Sequence, residues 1–121
     1  MSIESALLDP GQLDALRTLQ EPGEPDVLAI VFEEFRQESR QQMRHLRQAL
    51  SAGDTRALHH TAHSLKSGGA ALGATELAAI CAQIEADSKG GVVTADVARQ
   101  VARAEAEYAR VLLALEQAER A

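Results

Sequence analysis

Apolar side chains return along this chain at steps of three and four, and the rhythm breaks at a few places marked by Pro, Gly or Asp. That spacing is the period of an amphipathic α-helix, which keeps such positions on one face. The first stripe is short. Leu13, Leu16 and Leu19 follow Asp9-Pro10, which reads as an N-cap with proline at the first helical position. Glu21-Pro22-Gly23-Glu24-Pro25 then stops the helix, as a turn rather than a domain linker. The second stripe runs from near Pro25-Asp26 to about Ala52. Leu28, Val31, Phe35, Met43, Leu46 and Leu50 mark its apolar face, and Glu33, Glu34, Arg36, Glu38, Arg40, Arg44 and Arg47 its outer one. At ~1.5 Å per residue it would be roughly 40 Å long. Gly53 ends it and Asp54 caps the next helix.

The third stripe is Leu58, Ala62, Leu65, Gly69 and Leu72, and Gly73 ends that segment. Thr75-Glu76 opens a fourth helix with Leu77, Ile80, Cys81 and Ile84 inward, closed by Lys89-Gly90-Gly91. Thr94 caps a fifth, with Val97, Val101, Ala104, Tyr108, Val111 and Leu115 on one side. Four long amphipathic helices with short connections predict an all-α fold, an antiparallel up-down four-helix bundle. The additional short N-terminal helix would lie across one end, and residues 1–121 would form a single domain.

Composition narrows the class. Alanine makes up roughly a fifth of the chain, aromatics are 2% and there is no Trp, which disfavours a sheet protein. The net charge is −6, with 12 Lys and Arg scattered among 18 acidic residues, so a nucleic-acid partner is not expected. The single Cys81 has no internal disulfide partner and no metal motif around it, which fits a reducing compartment. No apolar run approaches the ~18 residues of a membrane span. Met1 to Leu8 lacks the basic stretch of a secretory signal. The expectation is a cytoplasmic domain with no membrane partner.

The candidate chemistry lies on the third helix. With the apolar stripe centred at zero and about 100° per residue, Lys66 falls near 80°, His59 near 100°, Ala70 near 120°, His63 near 140° and Ser67 near 180°. His63 therefore stands on the solvent side, with His59, Lys66, Ser67 and Ala70 as its helical neighbours. An exposed imidazole can act as nucleophile toward an activated phosphoryl group, and a lysine at i+3 can neutralise phosphoryl oxygens. Small residues at Ser67, Ala70 and Ala71 leave a low surface for another protein. Gly68 and Gly69 cost about 1 kcal/mol each within a helix, which points to close packing or close approach there.

The segment His63-Ser64-Leu65-Lys66-Ser67-Gly68-Gly69-Ala70-Ala71-Leu72-Gly73 resembles the signature of histidine-containing phosphotransfer (HPt) domains, H-x-L-K-[GS]-small-small-x-x-L-G. Cys81 and Ile84-Glu85 are similar to the C-x-x-[LI]-E that follows in the family. Phe32 and Phe35 stand near its usual aromatic, and Leu46, Ala49-Leu50 and Gly53-Asp54 look like its helix-end pattern. Ser67 stands where many relatives have Gly and others Ser. The resemblance implies that His63 accepts a phosphoryl group from a receiver-domain aspartate and passes it to another receiver. It implies that Lys66 stabilises that group and that Glu85 hydrogen-bonds and orients the His63 ring. The partners implied are receiver domains of a hybrid sensor kinase and of a response regulator. The Mg²⁺ and the acidic pocket would belong to the receiver, so this chain would need no cofactor. His59, Ser67, Gly68, Ala70 and Ala71 would form the docking surface of a monomer.

Other chemistries fit less well. His59 and His63 are spaced for two ligands on one metal, but no third ligand lies at an obvious spacing and Lys66 would repel a cation. There is no G-x-S-x-G elbow, no aspartate placed to orient His63 as a hydrolytic base, and no strand before Gly68-Gly69 to make a nucleotide loop; autokinase activity is not expected. His45 and His60 read as solvated. The competing reading is a non-catalytic helical adaptor with the same bundle, which would be expected to have lost the histidine or the lysine.

Overall fold

The computed structural model describes residues 7–120. Residues 1–6 of the stretch read above for a secretory signal lie outside them. The chain forms α1 (Pro10–Arg17), α2 (Val27–Ala52), α3 (Thr55–Ala71), α4 (Thr75–Asp87), a 3₁₀ turn (Ser88–Gly90) and α5 (Ala95–Arg120), with no strand among the described residues. The order of packing is a ring: α3 lies on α2 and α4, and α5 closes the circle against α4 and α2. Connections this short leave consecutive helices antiparallel.

The boundaries follow from local chemistry. The Asp9 carboxylate accepts from Gly11 N–H, with Pro10 at the first helical position. Asp26 accepts from the N–H groups of Leu28 and Ala29, Asp54 from Ala57, and the Thr94 hydroxyl from Val97. Each cap satisfies donors that the first turn cannot use internally. α2 and α3 both end in a Schellman motif with glycine in the left-handed region, Gly53 at φ +68° and Gly73 at φ +79°. In the second, Ala74 N–H donates to Gly69 and Gly73 N–H to Ala70.

The core is aliphatic. Leu46, Leu58, Leu65, Leu77, Ile84, Val97, Val101 and Leu115 are fully buried, as are the small Ala62, Ala104 and Ala114. Each buried Leu or Ile contributes roughly 1.5–3 kcal/mol over its exposed state. Phe32 is fully buried, whereas Leu28, Val31 and Leu50 only pack against the margin. The eight-position step in the α2 stripe, from Phe35 to Met43, is filled by buried Ser39, whose hydroxyl meets the Tyr108 hydroxyl at 2.8 Å. On α5 the inward position is Glu107 rather than Tyr108, which is half-buried. The Tyr108 ring lies along the helix margin against Phe35, so its hydroxyl reaches α2 instead of entering the core. α1 ends at Arg17, so Leu19 falls beyond the helix and is exposed.

α1 covers one end of the bundle. Asp9 N–H donates to the Gly73 carbonyl at 2.7 Å, and the Gln12 side-chain amide donates to the Ala71 carbonyl at 2.8 Å. Leu7, Leu8 and Leu13 are buried against this end. Among the described residues the far end, where α3 begins and α4 finishes, carries no such cover, and His59, His60 and Lys89 are found there.

Candidate functional site

α3 turns Leu58, Ala62, Leu65 and Gly69 into the core, which rotates His63 outward; its side chain is 58% exposed. α4 buries Leu77, Ile80, Cys81 and Ile84, which leaves Glu85 on the flank that faces α3. The two helices are in close contact at Gly69, where an added Cβ would lie 3.6 Å from the Ala74 carbonyl and 3.8 Å from Ala78 N. Cys81 is fully buried and its thiol is pushed up to about 12 by burial, so it offers no thiolate near neutral pH.

Glu85 joins three side chains of α3. Its Oε2 lies 2.8 Å from His63 Nδ1 and its Oε1 accepts from Lys66 Nζ at 2.6 Å. Its backbone carbonyl lies 2.9 Å from His59 Nδ1. A carbonyl can only accept, so His59 carries its proton on Nδ1. The Glu85 carboxyl is only 15% exposed, yet it is held down to about 2. The Lys66 hydrogen bond is the largest cause and the His63 hydrogen bond the next, and together they outweigh the opposing effect of burial. An ionised carboxylate is an acceptor only, so the hydrogen bond assigns the His63 proton to Nδ1. In the neutral ring the Nε2 lone pair then points away from Glu85, on an exposed side chain.

Lys66 is placed differently from the picture of a free cation beside the imidazole. Its ammonium is engaged with Glu85, so the charges beside His63 nearly cancel. Ser67, Ala70 and Ala71 are exposed along the same helix. The Ser67 hydroxyl donates to the His63 carbonyl at 3.2 Å, and the Ala71 carbonyl is taken by Gln12. Gly68 is half-buried toward α2, where an added Cβ would meet the Phe35 ring at 3.8 Å. His59 is half-buried, and His45 and His60 are exposed. Among the described residues, no group of three His, Cys, Asp or Glu side chains is arranged to hold a metal ion, and no helix is long and apolar enough to cross a membrane.

Two features had no counterpart in the helical pattern. One is an open cleft of about 350 Å³ beside His59, lined by Thr55, Arg56, His60, Ser88 and Lys89 as well. Arg56 lies seven residues before His63, a same-face spacing on α3, whereas Lys89 stands in the 3₁₀ turn beyond α4, where helical spacing gives no signal. The other is Glu107, buried with Oε1 on Arg110 and Oε2 without a hydrogen-bond partner among the described residues.

A ring of four antiparallel helices that presents an exposed imidazole hydrogen-bonded to a carboxylate fits the phosphotransfer bundle that the sequence motif resembles. Residues 31–121 match the family model of the Hpt domain. The crystal structure of histidine-containing phosphotransfer protein B (HptB) from Pseudomonas aeruginosa PAO1 is similar over 94% of this chain and 95% of that one, with 31% identity and a TM-score of 0.84. No curated protein matches the chain in sequence. The chain belongs to the Hpt-domain family. Its function is accordingly histidine phosphotransfer within two-component phosphorelays, in which Hpt domains interact with receiver domains.

Proposed function

We propose that His63 is the phosphoacceptor and that the reaction is reversible transfer between an aspartyl phosphate of a receiver domain and Nε2 of this ring. The observation that carries the reading is the 2.8 Å hydrogen bond from His63 Nδ1 to a carboxylate that stays ionised. Nε2 attacks phosphorus, the new P–N bond forms, and the P–O bond to the aspartate breaks. The aspartate carboxylate leaves with the electron pair. The proton stays on Nδ1, and the positive charge that develops on the ring is matched by Glu85. Lys66 has further N–H donors beyond the one on Glu85, which are available to the transferred phosphoryl oxygens. A divalent cation assisting the reaction would be held by receiver carboxylates and phosphoryl oxygens, so this reading requires no metal or cofactor of this chain.

The partners in this reading are the receiver of a hybrid sensor kinase and that of a response regulator, each docking on a monomer over the exposed α3 surface around His63. The test is incubation with a phosphorylated receiver, followed by analysis of the bond formed. Wild type should carry acid-labile, base-stable phosphate, and His63→Gln should carry none. Equal labelling of the two proteins excludes His63 as the acceptor. Glu85→Ala should slow transfer by on the order of 10- to 100-fold, the size of one hydrogen bond to a charged group, with an unchanged helical spectrum. An unaltered rate removes Glu85 from the mechanism.

A further inference from the structure

Because Glu85 neutralises Lys66, the attraction that brings a phosphorylated partner to His63 has to come from elsewhere. Seven arginines and Lys66 are engaged in ion pairs: Lys66 with Glu85, and the arginines, such as Arg36 with Glu119 and Arg103 with Glu76, with acidic neighbours. Arg40, Arg44, Arg56 and Lys89 make no ion pair among the described residues. Arg56 and Lys89 come from different elements, the first turn of α3 and the 3₁₀ turn after α4, yet line the same cleft. Both are exposed. Arg56 lies on the His63 face of α3, seven residues or about 10 Å along the axis from it.

The incoming phosphoryl donor has a defined charge. A phosphoryl group brings about −1.5 to −2, and the Mg²⁺ that assists its transfer is held by further carboxylates. One divalent cation leaves such a site net negative, and this chain is itself at −6. Long-range repulsion would oppose the encounter unless cations stand at the rim of contact.

We infer that the cleft of Arg56, His59, His60 and Lys89 is the electrostatic docking subsite for the acidic rim of the partner receiver, separate from the reacting group His63. This rests on the phosphotransfer reading above. The subsite acts on encounter: Arg56, about one Debye length along α3 from His63 at physiological salt, and Lys89 on the same cleft raise the association rate without touching the phosphoryl group.

The experiment compares wild type, Arg56→Gln/Lys89→Gln, and the control Arg44→Gln/Arg120→Gln, which removes the same charge from α2 and the end of α5. A separate sample of each protein is first phosphorylated with phosphoramidate, a small donor that needs no docking. Labelling of all three at His63, abolished by His63→Gln, shows that the acceptor is intact. Transfer from a receiver domain charged with acetyl phosphate is then followed against receiver concentration and salt. The cleft variant should show a second-order rate constant about tenfold below wild type at low salt, converging with it as salt rises. Its single-turnover rate at saturating receiver should be unchanged, and the control should match wild type throughout. The inference is overturned if the cleft variant matches wild type, if the control falls equally, or if the loss appears in the saturated rate. If no receiver transfers to wild type although phosphoramidate does, the phosphotransfer reading itself fails.

Discussion

Glu85 ties folding to the state of the site. Its carboxyl ordinarily titrates at 4.5 and sits at about 2 here, held by Lys66 first and His63 second. A carboxylate whose folded value is depressed adds stability above its unfolded value and loses it as pH falls through the folded one. Wild type should therefore exceed Glu85→Gln in denaturant midpoint by a constant margin above about pH 4.5, and the margin should close between there and about pH 2. A margin independent of pH would mean that the carboxylate is not held ionised. Gly73 gives a second contrast at this scale. At φ +79° an added Cβ would sit 2.8 Å from Asp9 N, whereas Gly53 at φ +68° has open space around it. Both Gly→Ala changes carry the left-handed cost of about 1–2 kcal/mol, and only Gly73→Ala must also displace the Asp9 backbone. Thermal denaturation should rank Gly73→Ala well below Gly53→Ala. The spacing of His63 and Lys66 was legible in the sequence, and Glu85 was reached by resemblance. The sharing of one carboxylate by His63 and Lys66 was not, because it depends on how far α4 is slid along α3, and periodicity within one helix says nothing about that offset.

Helix boundaries were legible because they are made by local chemistry. Asp9, Asp54 and Thr94 cap in the structure where their types and positions predict, and Asp26 caps the helix predicted to start near it. Asp26→Ala should cost about 1 kcal/mol, since the N–H groups of Leu28 and Ala29 lose their acceptor; a denaturant titration measures it. Which side chain of α5 turns inward was less legible. Glu107 and Tyr108 flank the same stripe, and hydrophobicity favours the tyrosine. The structure instead buries Glu107 and lets the Tyr108 hydroxyl reach Ser39 across the bundle. An unpaired buried carboxylate oxygen is costly, so Glu107→Met should raise stability by about 1–2 kcal/mol, with no change in phosphotransfer. A destabilised variant would show that Glu107 is better satisfied than its Oε2 suggests.

The molecule as a whole has two unlike ends. At one, α1 and the residues before it close the turn between α3 and α4 through Asp9, Gln12 and three buried leucines. At the other, the start of α3 and the 3₁₀ turn leave a cationic cleft open. The family match begins only at residue 31, after α1. A chain lacking residues 1–20 should melt at a lower temperature yet accept phosphate at His63 at the wild-type rate, as calorimetry and the transfer assay would show. The bundle and the N-terminal helix were legible from stripes and breakers. The cleft was not, since it belongs to two elements whose cations stand 33 positions apart in the chain, at Arg56 and Lys89.

The buried cysteine has a practical consequence. Cys81 is the chain's one thiol, and it is both enclosed and almost wholly protonated at neutral pH. A cysteine introduced on the surface of α3, at exposed Ser64 for instance, would be the sole group open to a maleimide dye. The wild-type background thus serves unaltered as a single-label reporter, in which the proposed docking of a receiver beside His63 can be tested and timed by fluorescence.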